Sequence, residues 1–100
     1  MVRKIIWSPE AIDTYISIIE YLEKEWTERE VRNFMLRVHE KLGILSQQPL
    51  IGRLSSKKRN NYRTLINKHT TLVYHYKPIK KEIELVSFWN NAQDPRKLKF

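Results

Sequence analysis

Tyr62-Arg63-Thr64-Leu65-Ile66, Thr71-Leu72-Val73-Tyr74-His75-Tyr76 and Glu82-Ile83-Glu84-Leu85-Val86-Ser87-Phe88-Trp89, with the short links between them, are the stretch that decides the fold. Each run is rich in β-branched and aromatic residues, which suit a pleated surface packed on one side. The links Asn67 to Thr70 and Lys77 to Lys81 are too short for a crossover, so the three runs predict an antiparallel meander. Upstream, Leu50 to Asn61 gathers Gly52, Ser55, Ser56, Lys57, Lys58 and Arg59 and reads as a polar, basic loop feeding the first of these strands.

Before that loop the hydrophobic period changes from two to between three and four. Ser8 is placed as a helix N-cap with Pro9 at the first helical position, and Ile12, Tyr15, Ile16, Ile19 and Leu22 make an apolar stripe. Thr27 and Glu30 form a T-x-x-E capping box after a break near Trp26. Val31, Phe34, Met35, Val38, Leu42 and Leu45 make the second stripe, ended by Pro49 and Gly52. Two amphipathic helices joined so tightly predict a helical hairpin lying on a sheet. Arg3 to Trp7 reads as a short strand ahead of them, although its place in the sheet is not legible. The expected fold is therefore α+β in the order β-α-α-β-β-β, a helical hairpin packed on a mainly antiparallel sheet, with residues 1–100 forming a single domain.

The charge is split along the chain. Residues 1–50 carry 7 basic and 8 acidic side chains, a net −1, whereas residues 51–100 carry 12 and 3, a net +9. With a total of +8, the chain is expected to seek a polyanion or an acidic protein through its sheet half. The chain has no cysteine, which removes disulfides, thiolate catalysis and cysteine-based zinc sites, and fits a cytoplasmic location. No run approaches the roughly 18 apolar residues of a spanning helix, and the first apolar run stops at Ser8-Pro9, so neither a membrane segment nor a signal peptide is expected. Three scattered histidines, His39, His69 and His75, with no i, i+4 pair argue against zinc. No Gly-rich phosphate loop or serine nucleophile elbow is present, and no cofactor is expected.

The element order, the Pro49-x-x-Gly52 helix exit, the Tyr62-Arg63-x-Leu65 strand entry, Leu72-Val73-Tyr74 in the middle strand and Asn91-x-x-Asp94-Pro95 after the last together resemble the RelE/ParE superfamily of bacterial toxins. The resemblance covers essentially the whole chain and implies the toxin of a type II toxin-antitoxin pair, silenced by a small cognate antitoxin that wraps it. Two activities go with that fold: RelE-like members cut messenger RNA on the ribosome, and ParE-like members poison DNA gyrase. The Asn91-Ala92-Gln93-Asp94-Pro95 tail is closer to the ParE and plasmid-stabilisation side. RelE-like nucleases commonly carry a His or Tyr at the end of the last strand, where this chain has Phe88-Trp89-Asn90-Asn91.

Candidate residues follow from what each activity needs. Metal-free RNA cleavage requires a group to activate the 2′-hydroxyl, cations for the phosphorane charge and a proton donor for the leaving oxygen, and Arg63, Lys68 and His69 are the candidates if the chain is a nuclease. The resemblance puts Arg63 at an anion-binding position, against the alternative of a structural pair with Glu82 or Glu84. His75 is expected to point away from Tyr74 and Tyr76 as a half-buried sheet residue. For target binding the candidates are the Lys57-Lys58-Arg59 cluster, against the alternative of a solvated loop, and Trp89 with Asn90, Asp94 and Arg96, where an aromatic beside amide and guanidinium groups suits a base or a protein anchor, against the alternative of Trp89 as a core plug closing the sheet's end. Expected partners are a cognate antitoxin and either DNA gyrase or the ribosome with its message, with a homodimer left open. A basic nucleic-acid-binding domain without toxicity is a further reading, since Tyr74 and Tyr76 share one face of their strand.

Overall fold

The computed structural model describes residues 2–54 and 60–90. Its elements are β1 (Lys4–Trp7), α1 (Pro9–Glu25), α2 (Glu28–Gln47), β2 (Arg53–Leu54), β3 (Asn61–Asn67), β4 (Thr70–Lys77) and β5 (Glu82–Asn90). Five strands form one sheet in the order β1-β5-β4-β3-β2. The meander β3-β4-β5 is antiparallel as expected, and β1 joins the far side of β5 in parallel, with Ile5 opposite Ile83 and Trp7 opposite Leu85. The α1-α2 hairpin between them supplies the long connection that a parallel neighbour requires.

Local chemistry sets the helix ends. The Ser8 hydroxyl accepts from the Ala11 N–H at 3.0 Å, with Pro9 following at the first helical position. At the start of α2 the Glu30 carboxylate accepts from the backbone N–H and the hydroxyl of Thr27, and the hydroxyl bond holds the Glu30 carboxyl below its usual range.

Both helices cover one face of the sheet. Ala11, Phe34, Val38, Leu45, Ile66, Leu72, Tyr74, Ile83, Leu85 and Phe88 form the buried core, with Ile5, Trp7, Tyr15, Ile18, Ile19 and Leu22 packed against it. Aromatic rings hold its centre: Trp7 stacks on Phe88 at 5.6 Å between centroids and meets Tyr15 edge-on at 5.2 Å. Burial in this cluster raises the Tyr15 phenol above its ordinary value. The helical stripes differ from expectation in phase. Ile12 (44% exposed), Ile16 (48%) and Met35 (46%) face outward, while Ala11 and Ile18 face inward. The hairpin presses on the sheet through Ala11, whose small side chain lets α1 lie close, and this rotates Ile12 and Ile16 out of the contact.

The sheet itself departs from simple alternation in β5. Val73 pairs with Ser87 but Tyr74 pairs with Leu85, so Val86 is an extra residue, a β-bulge. It shifts the phase of everything after it: Ile83 and Leu85 face the helices, then Phe88 does, and Trp89 turns to the opposite face. The bulge is tied down from α1. The Ser8 hydroxyl donates to the Val86 carbonyl at 3.1 Å, the Ser8 N–H donates to the Leu85 carbonyl at 3.1 Å, and the Phe88 N–H donates to the Thr14 hydroxyl at 2.9 Å. Three backbone groups around the bulge thus find partners on Ser8 and Thr14.

Candidate functional site

The candidate site is the sheet face turned away from the helices. Cross-strand register lays its residues out in rows. Arg53, Arg63, Val73 and Ser87 form one row; Leu65, Thr71 and Trp89 form the next; Asn61, His75, Glu84 and Ile6 lie on the other side of the first. Val73 (0% exposed) and Ser87 (2%) are buried at its centre, whereas Arg53 is exposed, Arg63 half-buried and Leu65 57% exposed. Beyond the His75 row, Lys77 meets Glu84 at 3.7 Å, so the β5 end of the face is charge-balanced while the β2-β3 end is cationic.

Arg53 was not a candidate from sequence, because the segment around it reads as loop. The structure instead makes Arg53–Leu54 a short edge strand whose register puts Arg53 directly opposite Arg63. The device that fixes this register is the Pro49-x-x-Gly52 exit. The Tyr74 hydroxyl donates to the Pro49 carbonyl at 2.7 Å and accepts from the Gly52 N–H at 3.1 Å. A Cβ on Gly52 would stand 2.6 Å from that hydroxyl and 2.8 Å from the Arg63 carbonyl, so only glycine allows the approach. Burial pushes the Tyr74 phenol up to about 12, which keeps it neutral and able to donate. Two like charges opposed across a ladder are unfavourable by themselves, and among the described residues neither arginine meets a carboxylate. Paired guanidinium forks of this kind match phosphate or carboxylate oxygens.

The remaining candidates scatter. Lys68 and His69 occupy the exposed tip of the β3-β4 hairpin, where the Asn67 side chain accepts from the His69 N–H at 2.8 Å. At about 3.3 Å per residue, Lys68 lies some five residues, roughly 16 Å, along the strand from Arg63, so the structure does not bring the three nuclease candidates together. His75 is nearer, one row from Arg63, and its Nδ1 lies 2.5 Å from the Asn61 Oδ1. Trp89 and Asn90 are half-buried at the end of β5. Lys57, Lys58, Arg59, Asp94 and Arg96 lie outside the described residues. Tyr74 and Tyr76 do share a face, but it is the helix-covered one, with Tyr74 stacked on Tyr62 at 5.5 Å inside the molecule. They therefore offer no platform for bases. Among the described residues no three His, Asp or Glu side chains gather to hold a metal ion, and no helix is long and apolar enough to cross a membrane.

The sequence pattern of the family described as the ParE toxin of the type II toxin-antitoxin system parDE matches residues 5–95. The chain belongs to this family. Solved relatives of the same fold include the RelBE2 toxin-antitoxin complex from Mycobacterium tuberculosis, with 13% identity, a TM-score of 0.64, and 91% of this chain and 100% of that one covered. The YoeB/ParE toxin from Agrobacterium tumefaciens gives 14% identity and a TM-score of 0.65 over 88% and 98%, and the intact E. coli RelBE toxin-antitoxin complex gives 14% and 0.63 over 91% and 99%. At these identities the similarity is one of fold, and the α+β RelE/ParE-like architecture is common to all. Comparison with curated protein sequences finds no match.

Proposed function

We propose that this member of the ParE toxin family is held silent by a cognate antitoxin and, when released in the cytoplasm, arrests growth by docking its second sheet face on DNA gyrase. The observation that carries this reading is the makeup of that face. It offers an arginine pair, exposed Leu65 and half-buried Trp89, an anchor set suited to a macromolecular surface, while the residues with acid-base capacity on the β3-β4 tip stand far from the arginines. The Asn91-Ala92-Gln93-Asp94-Pro95 tail points the same way by resemblance. Expression without a partner arrests bacterial growth, and the purified chain blocks gyrase supercoiling or traps cleavage complexes while translated messages stay intact.

A second reading has one specific observation in its favour: His75 lies a row from Arg63, so a histidine and a guanidinium share one face. Under it the chain cuts messages on the ribosome, and primer extension shows codon-placed cuts that vanish with Arg63→Ala. Normal growth at verified high expression, with salt-sensitive binding to single strands, assigns instead a nucleic-acid-binding domain without toxicity.

A further inference from the structure

The β4-β5 hairpin ends in Pro78-Ile79-Lys80-Lys81, and Ile79 is 97% exposed, more than any other large apolar side chain among the described residues. Turns favour Gly, Asn, Asp or Ser, and a β-branched side chain held in water gains nothing from the fold. The turn is nevertheless firmly braced. The Lys81 N–H donates to the Pro78 carbonyl at 3.3 Å, and the Lys81 carbonyl accepts from the Lys4 N–H of β1 at 3.0 Å, with Lys81 itself at a φ of 55°. On the other side the Tyr76 N–H donates to the Asn60 carbonyl at 3.0 Å. β4 and β5 are inner strands and β3 begins opposite His75, so Tyr76, Lys77 and the turn project beyond β3. Cations flank the projection. Lys80 and Lys81 are exposed in the turn, and Lys4 and Lys77 stand on either side of Glu82 in the row behind it. Lys77 also meets Glu84 at 3.7 Å. Four lysines against Glu82 and Glu84 leave a net +2, and both carboxylates belong to the strand behind the turn.

We infer that this hairpin tip is a wedge for duplex DNA: Ile79, with Pro78 beside it, enters the minor groove and parts a base step, while the lysines meet the phosphates that wall the groove. An apolar point on a rigid projection, with cations at its flanks, can kink a duplex because the cost of unstacking is offset by contacts to the bent backbone. The shape of the tip selects the occupant. A minor groove about 6 Å wide admits the point of a hairpin but not the sheet behind it, so Glu82 and Glu84 stay clear of the phosphates. A bilayer or a flat acidic surface would instead face the whole end of the sheet, Glu82 included. Ile79 and Pro78 also carry too little apolar surface for a bilayer: at about 0.8 kcal/mol per buried methylene they fall short of a single acyl chain, which is itself a marginal anchor. The inference is separate from the gyrase reading, since it concerns DNA alone and a different part of the molecule from the arginine row.

The test uses the full-length chain and a short duplex labelled at both ends, with binding read by anisotropy over a salt series and bending by energy transfer between the labels. Wild type is compared with Ile79→Asn and with Lys80→Gln combined with Lys81→Asn. Asparagine suits a turn and the left-handed backbone at 81, so both variants melt close to wild type. Wild type binds and bends the duplex. Ile79→Asn loses the bend and binds about 10-fold more weakly with an unchanged salt slope. The lysine variant lowers the log-log salt slope by about 1.8, the share of two phosphates. Bending by Ile79→Asn equal to that of wild type overturns the inference, as does a wild-type chain that leaves the duplex unbound or straight. Ile79-dependent binding to phosphatidylserine–phosphatidylcholine vesicles by a chain that does not bend the duplex also overturns it and assigns the tip to a membrane. Neither gyrase nor ribosome is present, so failure of the gyrase reading leaves this result untouched.

Discussion

Phe88 and Trp89 are adjacent in the chain, yet they lie on opposite faces of one sheet and answer to different constraints. Phe88 is enclosed by Trp7, Tyr15 and Phe34 under the helical hairpin, whereas Trp89 stands in a row with Thr71 and exposed Leu65, next to the arginine row. The helix-covered face is close-packed and its polar groups are internally satisfied. The other face carries apposed Arg53 and Arg63 and an exposed Leu65 around a buried centre of Val73 and Ser87. That difference separates residues that maintain the structure from residues that are available for a partner.

The comparison breaks most sharply at its central pair. Phe88→Ala leaves a void among the three rings of Trp7, Tyr15 and Phe34 and destabilises the chain by about 3–5 kcal/mol, read as a lowered midpoint in denaturant titration. Trp89→Ala costs far less stability but abolishes growth arrest; a large loss of stability with activity retained would reverse the roles of the two faces. Combined Arg53→Glu and Arg63→Glu is expected to leave the melting temperature near wild type and to remove toxicity, because among the described residues neither guanidinium meets a carboxylate.

The clasp between the faces gives the next effect. Tyr74→Phe removes a buried donor from the Pro49 carbonyl and an acceptor from the Gly52 N–H, and is expected to cost about 1–3 kcal/mol. Its pH signature is specific. The folded phenol is raised to about 12 from an ordinary 10.0, so the unfolded chain releases this proton first. Stability from Tyr74 is complete below pH 10 and is lost as pH rises toward 12, and the slope of unfolding free energy across that window should flatten in Tyr74→Phe.

The smallest expected effect tests the bulge. Thr14→Val keeps the shape but leaves the Phe88 N–H without its acceptor, at a cost of about 1–2 kcal/mol, and the Phe88 amide should exchange faster with solvent. Thr14→Ser, which keeps the hydroxyl, should restore both. Unchanged exchange in Thr14→Val would mean that Thr14 does not hold the strand's phase.

Much of this was legible along the chain. Ser8-Pro9, the Thr27 and Glu30 box, the Lys68-His69 hairpin tip and the helical and strand periods are local signals, each complete within a few residues, and each element formed where its signal stood. The absence of cysteine and the division of charge are properties of composition and need no coordinates. The site was legible only in part: Arg63 was a candidate by resemblance and lies on the uncovered sheet face, whereas Lys68 and His69 sit at the hairpin tip away from it.

What only the tertiary structure decided concerns pairings between distant segments. The parallel seat of β1 beside β5, the extra residue Val86, the outward turn of Ile12 and Ile16, and Arg53 opposite Arg63 all depend on register, and register is set by contacts from 10 to 78 residues apart that no local window contains. A one-residue slip exchanges the faces of a strand. The amino acids therefore determined which elements would form, while the packing of helix N-terminus against bulge, and of tyrosine against glycine, determined which side chains would meet a partner.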